Sequence, residues 1–257
     1  MHILVTNDDG VLAPGLFTLV RELRLIGEVT VCAPDRSWSA SGHVKTLHRP
    51  LRVHEVILSD GTPAYASDGA PSDCVALSLM GFIEQKIDLV VAGINPNANI
   101  GYDVTYSGTV TAAMEAVITG GVPGIAVSLD APEHYSGALD FNPAARIARQ
   151  VVERAVERGI PQGVLLNVNV PHLPEEQIKG CMLTRQGLRL YRDVLEKRLD
   201  PRGRPYYWIG GEAPSGVDEP GTDFGALRAG YVSITPLQLD LTARDALAVM
   251  EDWEWCA

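Results

Sequence analysis

The chain has 257 residues, 46% of them apolar and 21% charged, and a formal net charge of -11. That length and apolar content support a large core, in one domain or one domain with an appendage. The charge excludes a general attraction to nucleic acid polymers or to an anionic membrane, so a site for an anionic substrate must be made positive locally, as a bound metal would do.

The first element is Ile3-Leu4-Val5-Thr6-Asn7-Asp8-Asp9-Gly10. Its apolar run is too short for a helix and stops at turn residues, which predicts a buried parallel strand over residues 3–5. Asp8 and Asp9 then fall at the carboxyl end of that strand, where open α/β sheets place their ligands. Adjacent carboxylates repel in a cleft of low dielectric, and a hard divalent cation would compensate them. A solvated turn with one Asp capping the next helix fits the same residues. Nothing before the strand reads as a basic and apolar leader, so no signal peptide is expected. Cys32, Cys74, Cys181 and Cys256 show no CxxC spacing, which points to a reducing compartment and away from a disulfide framework or zinc site. No apolar run reaches the roughly 18 residues of a membrane span. A soluble, cytoplasmic protein is expected.

Pro14 suits the first turn of a helix, and Leu16, Leu19, Val20 and Leu23 follow at helical spacing. Residues 28–33 form a second strand, which implies a right-handed parallel crossover. Residues 37–46 are a hydroxyl-rich loop. Pro71 opens a helix with Val75, Leu77, Leu79 and Met80 as its apolar positions. Residues 88–93 are a third buried strand, running into Asn95-Pro96-Asn97-Ala98-Asn99. Ser107-Gly108-Thr109 opens an Ala-rich helix over 110–118. Strands over 124–129 and 164–170 flank a helix over 144–158. The character changes near residue 180. Residues 191–209 predict an extended hairpin turning at 200–203, and 213–222 a loop. A strand over 231–235 and a helix over 243–253 end the chain. The division is thus a catalytic body, 1–180, and a region of 181–257 holding the hairpin, with a last strand and helix returning to the body. A projecting hairpin exposes a ladder edge and aromatics, which favours pairing with another subunit.

In a parallel sheet the loops after the first three strands emerge on one edge. Asp8, Asp9, Ser39 and Asn95 therefore converge as an all-oxygen set that suits Mg²⁺, Mn²⁺ or Ca²⁺ and not zinc. Ser107, Gly108 and Thr109 stand at a helix amino terminus, where free N–H groups and the dipole attract anions. An ordinary N-cap is the plainer account of the same residues. Gly42 and His43 lie in the hydroxyl-rich loop, where His43 either meets a phosphate oxygen, acts as a general acid, or only hydrogen-bonds within the loop. Metal plus anion hole suggests phosphoryl transfer to water. No P-loop or G-x-G-x-x-G pattern is present.

The order Asp8-Asp9-Gly10, Ala33-Pro34-Asp35, Ser39-Ala40-Ser41-Gly42-His43, Gly69-Ala70-Pro71-Ser72-Asp73-Cys74, Gly93-Ile94-Asn95, Asn99-Ile100-Gly101 and Ser107-Gly108-Thr109-Val110 closely resembles the family of the stationary-phase survival protein SurE. The resemblance continues through Thr184-Arg185-Gln186 and Gly230-Tyr231-Val232-Ser233-Ile234-Thr235-Pro236. It implies a Rossmann-like α/β body, a mostly parallel sheet flanked by helices, with a projecting C-terminal hairpin that mediates homodimers or homotetramers. It implies a nucleotidase for nucleoside 5'- and 3'-monophosphates, which also splits short polyphosphate. Asp8 and Asp9 would be catalytic. One divalent cation per subunit, Mn²⁺ or Mg²⁺, would be held by Asp8, Asp9, Ser39 and Asn95, with Asn99, Ser107, Gly108 and Thr109 at the phosphate.

The sequence departs from the family pattern at Asn97, where glycine is usual, and at Pro96 and Ala70. Asn97 is expected to take up the left-handed backbone that glycine would supply. An Asp-nucleophile phosphatase of the haloacid-dehalogenase kind wants Asp-x-Asp, and Gly10 stands where its second Asp belongs. The non-catalytic alternative is a nucleotide sensor that binds phosphate without turnover.

Overall fold

A computed structural model describes residues 1–132, 135–253 and 255, with only the backbone course at 192, 193 and 211–214. Strand β1, His2–Thr6, is buried throughout because helices cover both faces of the sheet. Helix α1, Pro14–Leu23, starts on its proline and turns Leu16, Leu19, Val20 and Leu23 into the core. Strand β2, Glu28–Pro34, pairs parallel with β1 as expected.

Strands β3, Val53–Ile57, and β4, Pro63–Ser67, extend the sheet beyond β2. Neither carries a clear strand pattern in the sequence. Val53-His54-Glu55-Val56-Ile57 is half exposed and lacks a buried run, and β4 opens on a proline. Helix α2, Pro71–Leu77, passes into a π turn at Ser78–Phe82. Strand β5, Leu89–Asn95, lies parallel to β1. Helix α3, Gly108–Glu115, likewise runs into a π turn at Ala116–Gly120. Strand β6, Gly124–Asp130, helix α4, Asn142–Arg158, and strand β7, Val164–Pro171, complete the parallel body.

The three-residue strand β8, Cys181–Leu183, is too short to have been legible. Strands β9, Arg189–Leu199, and β10, Pro205–Gly216, form the antiparallel hairpin. It is longer than expected: residues 213–216 belong to β10 and not to a loop. The register shift after Glu212 lets Ser215 and Gly216 face Leu190 and Arg189, so backbone pairing overrides their loop-like composition. After helix α5, Asp223–Arg228, strand β11, Val232–Gln238, runs antiparallel to β7 and parallel to β8. Helix α6, Arg244–Met250, is shorter than predicted and buries none of its residues.

Among the described residues the main sheet has the order β3-β4-β2-β1-β5-β6-β7-β11-β8. Helices α1 and α4 cover one face, and α2 and α3 cover the other. Cys32 and Cys74 are buried and Cys181 is exposed, all as free thiols, while Cys256 lies outside the described residues. No helix among the described residues is long and apolar enough to cross a membrane.

Candidate active site

The carboxyl end of β1 is closed by Asn7. Its Nδ2 donates to the Gly10 carbonyl (2.9 Å), and the Gly10 N–H donates to its Oδ1 (3.2 Å). Gly10 adopts φ 105°, a conformation that favours glycine, so the turn presenting Asp8 and Asp9 depends on it. The loop after β2 is tied to the same place, since the Trp38 N–H donates to the Asp8 carbonyl (2.7 Å).

Asp8 is buried against the start of α3. Thr109 Oγ1 donates to Asp8 Oδ1 (2.5 Å). A side chain on Gly108 would put its Cβ 2.8 Å from Asp8 Cβ and 3.1 Å from Oδ2, so only glycine allows this approach. Burial raises the Asp8 carboxyl pKa, and hydrogen bonds from Thr109 offset part of the rise. Burial, reinforced by the Asp8 charge, pushes Asp9 up to about 7. Two carboxyls in this position call for a positive charge beside them.

Asp8, Asp9, Ser39, Asn95, Asn99 and Ser107 line one cleft of about 680 Å³. Its donors fit a hard cation. Asn95 Nδ2 is occupied by the Asn97 carbonyl (2.5 Å), which leaves Asn95 Oδ1 as its available atom. Ser39 Oγ shares a hydrogen bond with Ser37 Oγ (2.9 Å) and keeps lone-pair capacity. Two carboxylates, an amide oxygen and a hydroxyl form an oxygen set. Among the described residues no group of three His, Cys, Asp or Glu offers an alternative.

Ser107 is the N-cap of α3, accepting from the Val110 N–H (3.1 Å). Capping and lining the cleft are compatible, because the cap uses one lone pair. Gly42 and His43 do not line the cleft. The Gly42 N–H donates to the Tyr106 carbonyl (2.9 Å) and its carbonyl accepts from Thr111 Oγ1 (3.1 Å). His43 Nε2 lies 2.8 Å from Glu115 Oε2. Asn97 does not use the left-handed backbone expected of it: Ala40, at φ 55°, is the one non-glycine residue with positive φ among those described.

Glu115 joins the hydroxyl-rich loop to α3, accepting from His43, Lys45 (2.9 Å) and Thr119. Burial works to raise its carboxyl, but the hydrogen bonds from His43, Thr119 and Lys45 outweigh it and hold the group at about 2. A carboxyl depressed in this way stabilises the fold above its ordinary value of 4.5, and that stability is lost as pH falls through about 2. Glu115→Gln is therefore expected to flatten the acid-side decline of the melting temperature across that window. A decline as steep as in the parent would show that the contact is energetically silent.

Several residues of the cleft carried no recognised sequence signal. Asp130, Arg189, Phe224 and Arg228 also line it. Arg189 Nε donates to Asp103 Oδ2 (2.8 Å), fastening the base of the hairpin to the loop after β5. Asp223 and the Asn167–Asn169 pair are fully buried and hold the backbone of Gly101 and of Asn99. Asn167 and Asn169 were visible as polar interruptions of an apolar strand, Val-Leu-Leu-Asn-Val-Asn-Val.

The family model described as "Survival protein SurE" matches residues 3–193. The chain is 54% identical over 245 residues to a protein of Herpetosiphon aurantiacus named 5'-nucleotidase SurE, covering 95% of each. It is 52% identical over 255 residues to one of Chloroflexus aggregans with the same name, covering 99% of this chain and 100% of that one. The crystal structure of the SurE protein from Aquifex aeolicus superposes with a TM-score of 0.81 at 40% identity, covering 98% of both chains.

Proposed function

The chain belongs to the SurE family, and from that premise we infer that it is a 5'-nucleotidase, a phosphatase that hydrolyses nucleoside 5'-monophosphates to nucleoside and phosphate. It also accepts 3'-monophosphates and short polyphosphate. The observation that carries this reading is the pair Asp8, buried, and Asp9, half-buried, in one cleft beside Ser39, Asn95 and the start of α3.

SurE nucleotidases depend on a metal. In this chain Asp8, Asp9, Ser39 and Asn95 would hold one divalent cation, Mn²⁺ or Mg²⁺, and the oxygen-only donor set supports that choice. When bound, it supplies positive charge to the phosphate oxygens and makes water acidic enough to be a nucleophile near neutral pH. Thr109 keeps the Asp8 carboxylate from turning. The tip of α3 binds phosphate oxygens through the Gly108 and Thr109 N–H groups, the Ser107 hydroxyl and the helix dipole. Asn99 adds an amide contact. Water oxygen bonds to phosphorus as the bond to the ester oxygen breaks, and a proton from that water ends on the released nucleoside.

The protein acts in the cytoplasm, which its free thiols support. It assembles as a homodimer or homotetramer through the β9–β10 hairpin, whose exposed Val194, Leu195, Trp208 and Ile209 support a protein partner.

The test is phosphate release from AMP with Mn²⁺ or Mg²⁺. Activity should fall to background in EDTA and return when the cation is restored. AMP binding with no release in any cation would mark a sensor, and undiminished turnover in EDTA would remove the metal from the account.

A further inference from the structure

Asn99 is held by three side chains from two neighbouring strands. Its N–H donates to Asn169 Oδ1 (2.8 Å), and its carbonyl accepts from Asn167 Nδ2 (2.7 Å) and Asn169 Nδ2 (3.1 Å). Its own side chain donates from Nδ2 to Ser128 Oγ (2.8 Å). Ser128 and Asn169 are direct partners across β6 and β7, and Asn167 stands two residues before Asn169. All three are fully buried in strands whose other residues are mostly apolar.

Such a group is costly to bury, and this one is left incomplete: Asn167 Oδ1 is buried with no partner among the described residues. Packing alone would be served better by valine or leucine. What the three side chains do instead is fix one loop residue, Asn99, at the cleft.

The direction of the Asn99 amide matters. With Nδ2 bonded to Ser128, the free atom is Oδ1, which repels a phosphate oxygen. A half-turn of the amide exchanges the two atoms. The Ser128 hydroxyl both donates and accepts, so it then donates to Oδ1 and leaves Nδ2 free to donate to the ligand. Asn167 and Asn169 keep the main chain still while the amide turns. We propose that Ser128, with Asn167 and Asn169, is a set of positioning residues that presents the Asn99 amide nitrogen to the substrate phosphate. This rests on the nucleotidase reading above and on Asn99 as a phosphate contact.

The test uses the full-length, Mg²⁺-loaded protein and two ligands. Inorganic phosphate affinity is measured by calorimetry, and KM and kcat are measured for AMP. Ser128→Ala removes the hydroxyl and should raise the phosphate Kd and the KM together by about 10- to 100-fold, the range of one hydrogen bond to a charged group. kcat should change little, as for an interaction made equally in ground and transition states. Ser128→Thr restores a hydroxyl and should recover most of the affinity. Wild-type Kd and KM in Ser128→Ala, whatever its melting temperature, would overturn the proposal. If that variant does not fold, Ser128→Cys keeps the volume with a weaker donor and should weaken phosphate binding; an unchanged Kd there overturns it equally. Should the unaltered protein bind phosphate but fail to hydrolyse AMP, the nucleotidase reading fails, and the phosphate titration alone decides the role of Ser128.

Discussion

Asp9→Asn is expected to lose AMP hydrolysis by about 10³-fold or more while its melting temperature in EDTA, above pH 7, rises. The loss follows from the several kcal/mol of transition-state stabilisation that a held cation supplies. The gain follows from the position of the carboxyl. Burial and the neighbouring Asp8 push Asp9 up to about 7, so the folded state binds its proton more tightly than the unfolded chain does. A raised carboxyl of this kind favours folding below its ordinary value of 3.8, and that contribution is lost as pH rises through about 7. Asparagine removes the titration and the repulsion together. Asp8→Asn should be as inactive and still folded, because its amide oxygen can keep the Thr109 hydroxyl bond. Phosphate release and thermal melts with and without EDTA check both variants. Full activity in either one would refute the assignment of these acids to the chemistry.

The largest effect on stability is expected at Asp223, which is far from β1 in sequence and fully buried. Its carboxyl accepts three main-chain N–H groups at 2.8 Å, from Gly101, Gly187 and Phe224. One side chain thus joins the loop after Asn99, the approach to the hairpin and the first turn of α5. Asp223→Ala leaves three N–H groups in a buried place without their acceptor. Each orphaned group costs about 1–3 kcal/mol, so a loss of roughly 4 kcal/mol or more is expected. For a domain of this size that is a fall of about 8–16 °C in the melting temperature. Asp223→Asn keeps an acceptor oxygen but turns an NH₂ toward an N–H, and should fall between the two. Urea melts of both variants measure this, and a parent-like midpoint in Asp223→Ala would refute the account. Gly101 lies two residues beyond Asn99, so KM for AMP should rise in any Asp223→Ala protein that folds.

Both variants act on the same cleft, but they differ in how far the sequence announces them. Asp8 and Asp9 are legible because a short apolar run ending in acids is a local pattern. Asp223 follows Gly221-Thr222 in a stretch that reads as loop, and its role depends on N–H groups 36 and 122 residues away. The same contrast runs through the loop after β2. Its hydroxyl content marks Ser39, but whether His43 turns toward the cleft or toward Glu115 depends on where α3 stands. Glu115 is 72 residues from His43. Asn97 stands where the family pattern has glycine, yet its backbone needs no such freedom here, since the path of a loop is set by what it packs against.

The sequence by itself determined the parallel body, the course of β1, β2 and β5, and the acids and oxygen donors near their carboxyl ends, though β5 runs two residues further than expected, to Asn95. Apolar runs specify buried strands locally, and a parallel sheet sends the loops after them to one edge. Only the tertiary structure decided the edge strands β3 and β8, the strand β4 that joins β3 to the sheet, the length of the hairpin, and the partners of Asn99, Glu115 and Asp223. Edge strands are chosen by backbone pairing more than by their own side chains. Hydrogen bonds act over about 3 Å, between groups that only the finished fold brings that close.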